Sequence, residues 1–190
     1  VALCDVNPQC RRLADELKIP FFTDYRKMLD EAELEGVIDG TPNQFHAEIG
    51  IYCARKGIHV LTEKPIAASL EEGKRMVEAV EESGISMLVG HHRRYYPPIR
   101  RAREIVQSGE LGQLVGVTML WALMKPDVYF DVAWRSQRGG GPILINIIHE
   151  MDNLRFICGD VAEISANARR LVRSGEVEDT VSMRFELVDG

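Results

Sequence analysis

The sequence has no long apolar run, no excess of positive charge and few aromatic side chains, which make up 7% of its 190 residues. No apolar stretch approaches the ~20 residues that span a bilayer, and none follows a basic segment, so we expect neither a membrane helix nor a secretory signal. Asp and Glu number 29 against 23 Lys and Arg, for a formal net charge of −6, which argues against a nucleic-acid partner. These absences predict a soluble, cytoplasmic protein.

Cysteine is also scarce, and no two cysteines stand at a short paired spacing: they are Cys4, Cys10, Cys53 and Cys158. A chain of this size does not need cross-links to be stable, so we expect free thiols in a reducing compartment. Hydrophobic residues form 45% of the sequence, which is enough for a buried core.

The two ends of the sequence share one property. It begins without Met, inside the apolar run of residues 1–6, and it ends shortly after an alternating apolar pattern at 181–188. Alternation with a period of two is typical of a strand with one buried face. We therefore expect a fragment of a longer chain, in which a sheet is interrupted.

Short apolar runs alternate with helical segments up to Gly90. Strands are predicted at 1–6, 36–40, 57–61 and 85–90, and helices at 8–17, 25–32, 44–56 and 69–83. Asn7-Pro8, Asn43 and Ser69 are typical helix starts, whereas Gly57 and Gly84 are typical helix ends. This alternation predicts an α/β fold with a doubly wound parallel sheet of Rossmann type, lacking its first βα unit.

The pattern changes after residue 90. We predict a helix at 98–108, a strand at 114–124, a helix at 142–158 and strands at 161–172 and 177–188. Long strands joined by a turn at Ser174-Gly175 predict a partial α+β domain with an open, mainly antiparallel sheet. The predicted domains are therefore 1–95 and 96–190. The open sheet predicts a homo-oligomer, because an exposed edge or apolar face needs a cover.

Polar residues follow three predicted strands of the first domain. Ligands of open parallel sheets bind outside the carboxyl ends of the strands. The residues at these ends are Asp5, then Thr41, Pro42 and Asn43 with His46 in the following helix, and then Glu63, Lys64 and Pro65.

Asp5 has two interpretations. A carboxylate at this strand end accepts hydrogen bonds from an adenosine ribose and repels a 2′-phosphate, which favours NAD over NADP. The alternative is an exposed turn residue before Asn7-Pro8. The glycine-rich loop that should precede Asp5 by ~20 residues is not in the sequence.

Lys64 also has two interpretations. Proline at position 65 keeps it out of the helical region of the backbone, and a lysine held at a strand end can bind a hydroxyl oxygen and act in proton transfer. The alternative is an exposed loop lysine. For Thr41, Pro42 and Asn43 the alternative to a ligand site is a capped helix.

A third group of residues surrounds the helix at 142–158. His149 and Asp152 stand three positions apart, so the carboxylate can fix the tautomer of an imidazole that removes a proton from an alcohol. The alternative is a partly buried histidine satisfied by Asp152. The preceding glycines, 139–141, are expected to permit a close backbone approach.

Two further roles are open to the polar residues at 91–94 and 149–152. His91, His92, His149, Glu150 and Asp152 are metal-ligand types, but the second histidine of a zinc-protease helix is missing, so no metal site is expected. Arg93 and Arg94 either form a solvated helix face or bind an anionic group.

The candidate residues follow one another along the sequence in a set order: Asp5, Thr41-Pro42-Asn43, Glu63-Lys64-Pro65, Arg93-Arg94, Trp134-Arg135, the glycines, and His149 with Asp152. With this order, the sequence resembles the Gfo/Idh/MocA oxidoreductases over essentially its whole length. The resemblance implies a dinucleotide-binding first domain and a substrate and oligomerisation domain after it. It also implies cofactor contacts from the strand-end residues and His46, Arg93, Trp134 and Arg135. Lys64 and His149 would be the catalytic pair, and Asn146 and Asp152 would contact substrate.

The resemblance has one departure. Sugar dehydrogenases of this family often carry an Asp one turn before the histidine, where this sequence has Ile145, and the polar Asn146 lies about 100° further round an α-helix. The predicted function is NAD(P)-dependent hydride transfer at a hydroxyl-bearing carbon of a sugar, polyol or related small molecule. A non-catalytic nucleotide-binding homologue and a metal-dependent hydrolase are the alternatives.

Overall fold

The computed structural model of the protein describes residues 1–188. The chain folds as two compact units, Val1–Gly90 and His91–Gly190. The last two residues of the predicted second domain, 189 and 190, lie outside the described residues. Within the described part, no helix is both long and apolar enough to cross a bilayer.

The first unit alternates strands with helices, and all its strand pairs are parallel. Its elements are β1 (Leu3–Cys4), α1 (Arg11–Leu17), β2 (Phe21–Phe22), α2 (Tyr25–Glu31), β3 (Gly36–Asp39), α3 (His46–Lys56), β4 (His59–Thr62), α4 (Leu70–Ser83) and β5 (Met87–Val89). β1 pairs with β2, and β3, β4 and β5 form a second sheet in that order. The predicted α/β class is confirmed. Strand β2 was not predicted, because two residues show no periodicity.

Several helix ends of the first unit follow their sequence signals, but the cap predicted at Asn43 is wrong, because Phe45 is the N-cap residue of α3. The side chain of Asn7 accepts a backbone N–H at the start of a short 3-10 turn, and that of Ser69 does so at the start of α4. Gly57 and Gly84 end α3 and α4 with φ of 71°, a conformation that glycine adopts at no steric cost. Helix α3 begins at His46, two residues later than predicted, because 43–45 form a turn.

The core of the first unit lies where α2 and α3 cover β4. Its buried side chains are Met28, Leu29, Ile49, Cys53, Ile58 and Val60. Burying one large aliphatic side chain is worth roughly 1.5–3 kcal/mol, so this cluster fixes α3 against the sheet. The carboxyl ends of β3 and β4 are thereby held side by side, with Asp39 in register with Thr62.

Up to residue 188, the second unit contains two α-helices and one antiparallel strand pair. Its elements are α5 (Pro97–Gln107), α6 (Ile148–Cys158), β6 (Val161–Arg169) and β7 (Thr180–Leu187), with short 3-10 turns between them. The predicted antiparallel sheet is confirmed, and Ala166 stands opposite Met183 in its ladder.

A carboxylate shortens the predicted strands at the β6–β7 connection. Asp179 accepts the backbone N–H groups of Leu171, Val172 and Arg173 at 2.8–3.1 Å. These N–H groups, that of Leu171 first, hold the pKa of the Asp179 carboxyl well below its usual range. The ladder therefore ends at Arg169, since the next residues bond to this side chain.

The strand predicted at 114–124 is wrong. Residues 114–126 form an irregular segment with strongly exposed apolar side chains, among them Val115, Leu120 and Met124 at 95%, 90% and 88% exposure. The segment lines one wall of a cavity of about 890 Å³ that α6 and β7 also line. Its composition favours extended backbone, but a strand also needs the hydrogen bonds of a neighbour, and within residues 1–188 this segment pairs with no strand.

The segment predicted as a helix at 142–158 is not a continuous α-helix. Ile143–Ile147 form a π-helical turn in which the N–H of Ile148 reaches back to the carbonyl of Ile143, and α6 continues from there. The period of about 3.6 residues that sets the predicted positions of Ile145 and Asn146 does not apply across a π turn. Their positions relative to His149 therefore differ from those in a continuous α-helix.

The glycines before this helix permit the close approach that the sequence predicted. A Cβ atom on Gly140 would lie 2.1 Å from the carbonyl oxygen of Trp134 and 2.9 Å from the Cα of Arg135. A Cβ on Gly141 would lie 2.5 Å from the carboxylate of Glu178. At Gly140 the neighbour is backbone, which has little room to yield.

We expect Gly140→Ala to destabilise the protein by roughly 1–3 kcal/mol, because the added methyl must displace packed backbone. The midpoint of urea unfolding measures this. Gly116→Ala is the matched control, since a Cβ there meets nothing within 4 Å. Equal midpoints for the two variants would contradict the close approach.

Candidate functional site

Asp5 follows β1 and shapes the turn after it. Its N–H donates to the carbonyl of Phe22 at 3.1 Å, and its Oδ1 accepts the N–H of Asn7 at 2.8 Å. The side chain is partly exposed at the carboxyl end of the strand. The structure therefore shows a turn-forming role, and ribose binding by Asp5 stays a prediction.

The turn after β3 is organised by Asp39, a residue that sequence reasoning did not select. Its side chain is 3% exposed, and its Oδ1 accepts both the N–H of Thr41 at 3.0 Å and the hydroxyl of Thr41 at 2.7 Å. Thr41 and Pro42 are exposed, whereas Asn43 is buried. The sequence contained a signal for this turn, because an Asp side chain that accepts the backbone N–H two residues later is typical of turns.

Asp39 also affects the buried thiol of α3. Burial first, and then the charge of Asp39, raise the pKa of Cys53 to about 11. A thiol held protonated in this way is a poor nucleophile. Cys53 therefore belongs to the core, and it is one of four free cysteines, as predicted.

The turn after β4 carries Glu63, Lys64 and Pro65. The N–H of Glu63 donates to the carbonyl of Asp39 at 2.9 Å, which ties this turn to the end of β3. Glu63 is exposed, Lys64 is half-buried and Pro65 is buried, and the Lys64–Pro65 peptide bond is cis. A Cβ on Gly90 would lie 3.3 Å from the Glu63 carboxylate, so Gly90 gives this side chain its space.

His46 lies inside the first unit, between these two turns. It is 1% exposed, with Nδ1 2.8 Å from the carbonyl oxygen of Pro65 and Nε2 2.8 Å from that of Thr41. Both ring nitrogens are thus engaged by backbone. Direct cofactor contact by His46 stays a prediction, and the contact that the structure shows is with the two turns.

His149 lies in the first turn of α6 and is 7% exposed. Its ring packs edge-on against that of His92, with centroids 5.2 Å apart and planes at 67°. His92 belongs to the 3-10 turn His92–Tyr95 and also packs against Tyr96. Aromatic packing of this kind restricts how the His149 ring can turn.

Asp152 is bound by an arginine. Its carboxylate, 8% exposed, accepts from Nε of Arg94 at 2.8 Å and from Nη2 of Arg94 at 2.5 Å, and Nδ1 of His91 lies 3.7 Å away. The hydrogen bonds to Asp152 are the main cause of a raised pKa of Arg94. Sequence reasoning missed this pair because it joins residues distant in the sequence.

Arg93 forms a second ion pair from the same turn, with Glu150 of α6. Two adjacent arginines thus hold the 3-10 turn against the helix that carries His149. The interpretation of Arg93 and Arg94 as a purely solvated face is wrong, since both are paired and only partly exposed. Binding of an anionic group by Arg93 stays a prediction.

Trp134 and Arg135 lie in the 3-10 turn Ala133–Ser136. Nη1 of Arg135 donates to the carbonyl of Tyr129 at 3.0 Å, and its guanidinium carbon lies 4.1 Å from the centroid of that ring. Arg135 and Asn146 line one cavity of about 180 Å³ within the second unit. The structure thus brings these two predicted site residues to the same cavity.

Glu178 was not predicted and contacts the start of the helix that carries His149. Its Oε1 accepts the N–H of Ile143 at 2.9 Å. A carboxylate at a helix N-terminus satisfies a free N–H and interacts favourably with the helix dipole. Among residues 1–188, no three His, Cys, Asp or Glu side chains are grouped so as to hold a metal ion.

Two family models match this chain and together cover most of it. The model of the oxidoreductase family Gfo/Idh/MocA, with an NAD-binding Rossmann fold, matches residues 1–91, and that of the Gfo/Idh/MocA C-terminal domain matches 99–190. The chain belongs to the Gfo/Idh/MocA family. The resemblance found in the sequence is thereby confirmed.

Gfo/Idh/MocA relatives with curated names include enzymes of sugar metabolism. The chain is 32% identical to 1,5-anhydro-D-fructose reductase of Ensifer adhaerens, covering 73% of this chain and 42% of the relative. It is 34% identical to D-xylose 1-dehydrogenase (NADP(+)) 2 of Haloferax volcanii, covering 70% of this chain and 41% of the relative. The chain therefore spans less than half the length of these relatives.

A solved Gfo/Idh/MocA structure shares the fold over the whole chain. The WlbA dehydrogenase from Bordetella pertussis, in complex with NADH and UDP-GlcNAcA, is 28% identical with a TM-score of 0.89, covering 100% of this chain and 59% of that one. The Rossmann-type class of the first unit is thus confirmed by comparison as well as by strand order.

Proposed function

We propose that the protein is an NAD(P)-dependent oxidoreductase that transfers a hydride between a nicotinamide and a hydroxyl-bearing carbon of a sugar, polyol or related small molecule. The observation that carries this proposal is the pair of linked turns at the carboxyl ends of β3 and β4, which present Thr41 and Lys64 where parallel sheets bind ligands. Family membership and the names of the relatives support the reaction class.

The residues at these strand ends fit a dinucleotide by their chemistry. Asp5 supplies a partly exposed carboxylate that can accept ribose hydroxyls, and Thr41 supplies an exposed hydroxyl. A Cβ on Gly40 would meet nothing within 4 Å, so the turn after β3 has open space beside it. A bound nicotinamide would supply the hydride chemistry, and the protein would supply position and proton transfer.

We assign proton transfer to His149 and charge stabilisation to Lys64. Imidazole is the side chain suited to taking up a proton near neutral pH, so His149 removes the hydroxyl proton as the carbon is oxidised. An ammonium group such as that of Lys64 can donate to a substrate oxygen and stabilise negative charge that develops there. Burial of His149 and its packing against His92 favour a fixed orientation for this step.

The proposal is tested with the full-length protein. NADH and NADPH are titrated by calorimetry, and NAD⁺- or NADP⁺-dependent oxidation is then assayed over a broad panel of sugars and polyols. We expect binding of at least one cofactor and turnover of at least one polyol. Binding without turnover of any substrate favours the non-catalytic homologue, and no binding of either cofactor contradicts both.

We further propose NAD as the preferred cofactor, because the Asp5 carboxylate accepts ribose hydroxyls and repels a 2′-phosphate. Asp5→Ala is expected to weaken NADH binding by roughly 10- to 100-fold, the range for a hydrogen bond to a charged group, and to reduce discrimination against NADPH. Calorimetric Kd values for both cofactors measure this. Asp15→Ala, at an exposed site on α1, is the control, and an unchanged NADH to NADPH ratio in Asp5→Ala would refute the assignment.

A further inference from the structure

We infer that His46 is a positioning residue for the cofactor end of the first unit, where its buried ring ties the turn after β3 to the turn after β4. This inference rests on the proposed function, because these turns carry the residues assigned to the dinucleotide and to the substrate oxygen. It assigns to His46 a role that requires no contact with either.

The geometry of the ring carries the inference. Nδ1 lies 2.8 Å from the carbonyl oxygen of Pro65, and Nε2 lies 2.8 Å from that of Thr41. Both distances fall in the range of good N–H to oxygen hydrogen bonds. The side chain is 1% exposed, so water cannot replace either partner without opening the fold.

Both partners of the ring are backbone acceptors. A carbonyl oxygen can only accept a hydrogen bond, so a ring N–H of His46 donates to the backbone of the turn that it faces. Asp39, a side chain that is 3% exposed and accepts from the N–H and the hydroxyl of Thr41, also holds the turn after β3.

A backbone hydrogen bond also joins the two turns. The N–H of Glu63 donates to the carbonyl of Asp39 at 2.9 Å, which fixes the strand ends. His46 reaches Thr41 on one side and Pro65 on the other, beyond the last paired residues Asp39 and Thr62. The ring thus sets the spacing between Thr41 and the segment that holds Lys64.

Loss of this tie is expected to act on cofactor binding more than on the chemical step. The side chains of Thr41 and Lys64 would be unchanged, but the distance between them would vary. Part of the binding free energy would then be used to order the two turns. We expect His46→Gln, which keeps one polar link, and His46→Ala, which keeps none, to raise the Kd for NADH by at least about tenfold. Turnover at saturating cofactor should fall much less than KM rises.

The matched control is His59→Gln. His59 lies at the other end of β4, where its Nδ1 accepts the N–H of Ser86 at 3.0 Å. This substitution removes a histidine bond to backbone from the same sheet without touching either turn. It should leave the Kd for NADH within about twofold of the parent.

The tie itself is tested on the unmodified protein. In the full-length protein labelled with ¹⁵N-histidine, a ring N–H of His46 is expected to exchange slowly with water, with the signal assigned by its loss in His46→Gln or by through-bond correlation. Rapid exchange of the His46 ring N–H would overturn the inference even if no variant folds, and so would an unchanged Kd in a folded His46→Ala. Failure of the parent to bind NADH would instead remove the proposed function, while the exchange of the ring N–H would still be measured.

Discussion

Alanine in place of Lys64 or of His149 is expected to lower kcat by roughly 10²- to 10⁴-fold, the usual contribution of one positioned acid–base group. The two substitutions remove groups with different assigned roles. Without Lys64 the reaction loses the cation assigned to charge stabilisation, and without His149 the hydroxyl proton loses its assigned acceptor. Because residues assigned to the same chemical step act non-additively, the double variant is expected to lose much less than the product of the two single effects.

Steady-state kinetics of the full-length variants measure these losses, and thermal unfolding shows whether each variant is folded. Lys74→Ala is the matched control for Lys64, since Lys74 is an exposed lysine of α4 in the same unit. Turnover within a few-fold of the parent in both Lys64→Ala and His149→Ala would rule out the assigned roles, while leaving family membership intact.

Arg94→Ala is expected to destabilise the second unit and to disturb His149 as well. Asp152 is 8% exposed and would lose both N–H donors of its arginine. When an ion pair is fully buried, removal of one partner lowers the free energy of unfolding by several kcal/mol. The Arg94 side chain is 39% exposed, so water can compensate in part, and a cost of about 1–3 kcal/mol is expected.

The unfolding midpoint in urea tests this expectation, with Arg101→Ala as the matched control. Arg101 is an arginine of the same unit whose ion pair with Glu104 is exposed on both sides, and such pairs contribute about 0–1 kcal/mol. Similar midpoints for Arg94→Ala and Arg101→Ala would show that the Asp152 pair does not hold the turn against α6. A kcat lowered in Arg94→Ala alone would show that the pair also positions His149.

The sequence was sufficient where local rules determine the structure. Parallel β3 and β4 follow from strand–helix alternation, and the ends of α3 and α4 follow from Gly57 and Gly84. The close approach at Gly140 was also foreseen, because three consecutive glycines before a helix have few other uses. Each of these features depends on neighbours within a few residues or on one period.

The sequence was insufficient where a contact joins distant residues. Nothing near Asp152 indicates that its partner is Arg94, 58 residues earlier, so a helical neighbour such as His149 was the natural expectation. The π turn at Ile143–Ile147 could not be predicted either, because the apolar residues of this segment are compatible with both α-helical and π-helical geometry. The irregular segment at 114–126 shows the limit of pattern reading, since a period typical of a strand does not supply a partner.

Glu178 caps the N–H of Ile143, so the start of this helix depends on a side chain far along the sequence. The segment brings no side-chain cap of its own, and the glycines in front of it offer no conformational restraint. A synthetic peptide spanning 139–158 would therefore fray at the very turn that holds Asn146, and a graft of that stretch into a foreign scaffold would deliver a misaligned imidazole. Any transplant has to carry an acidic residue from outside the helix along with it.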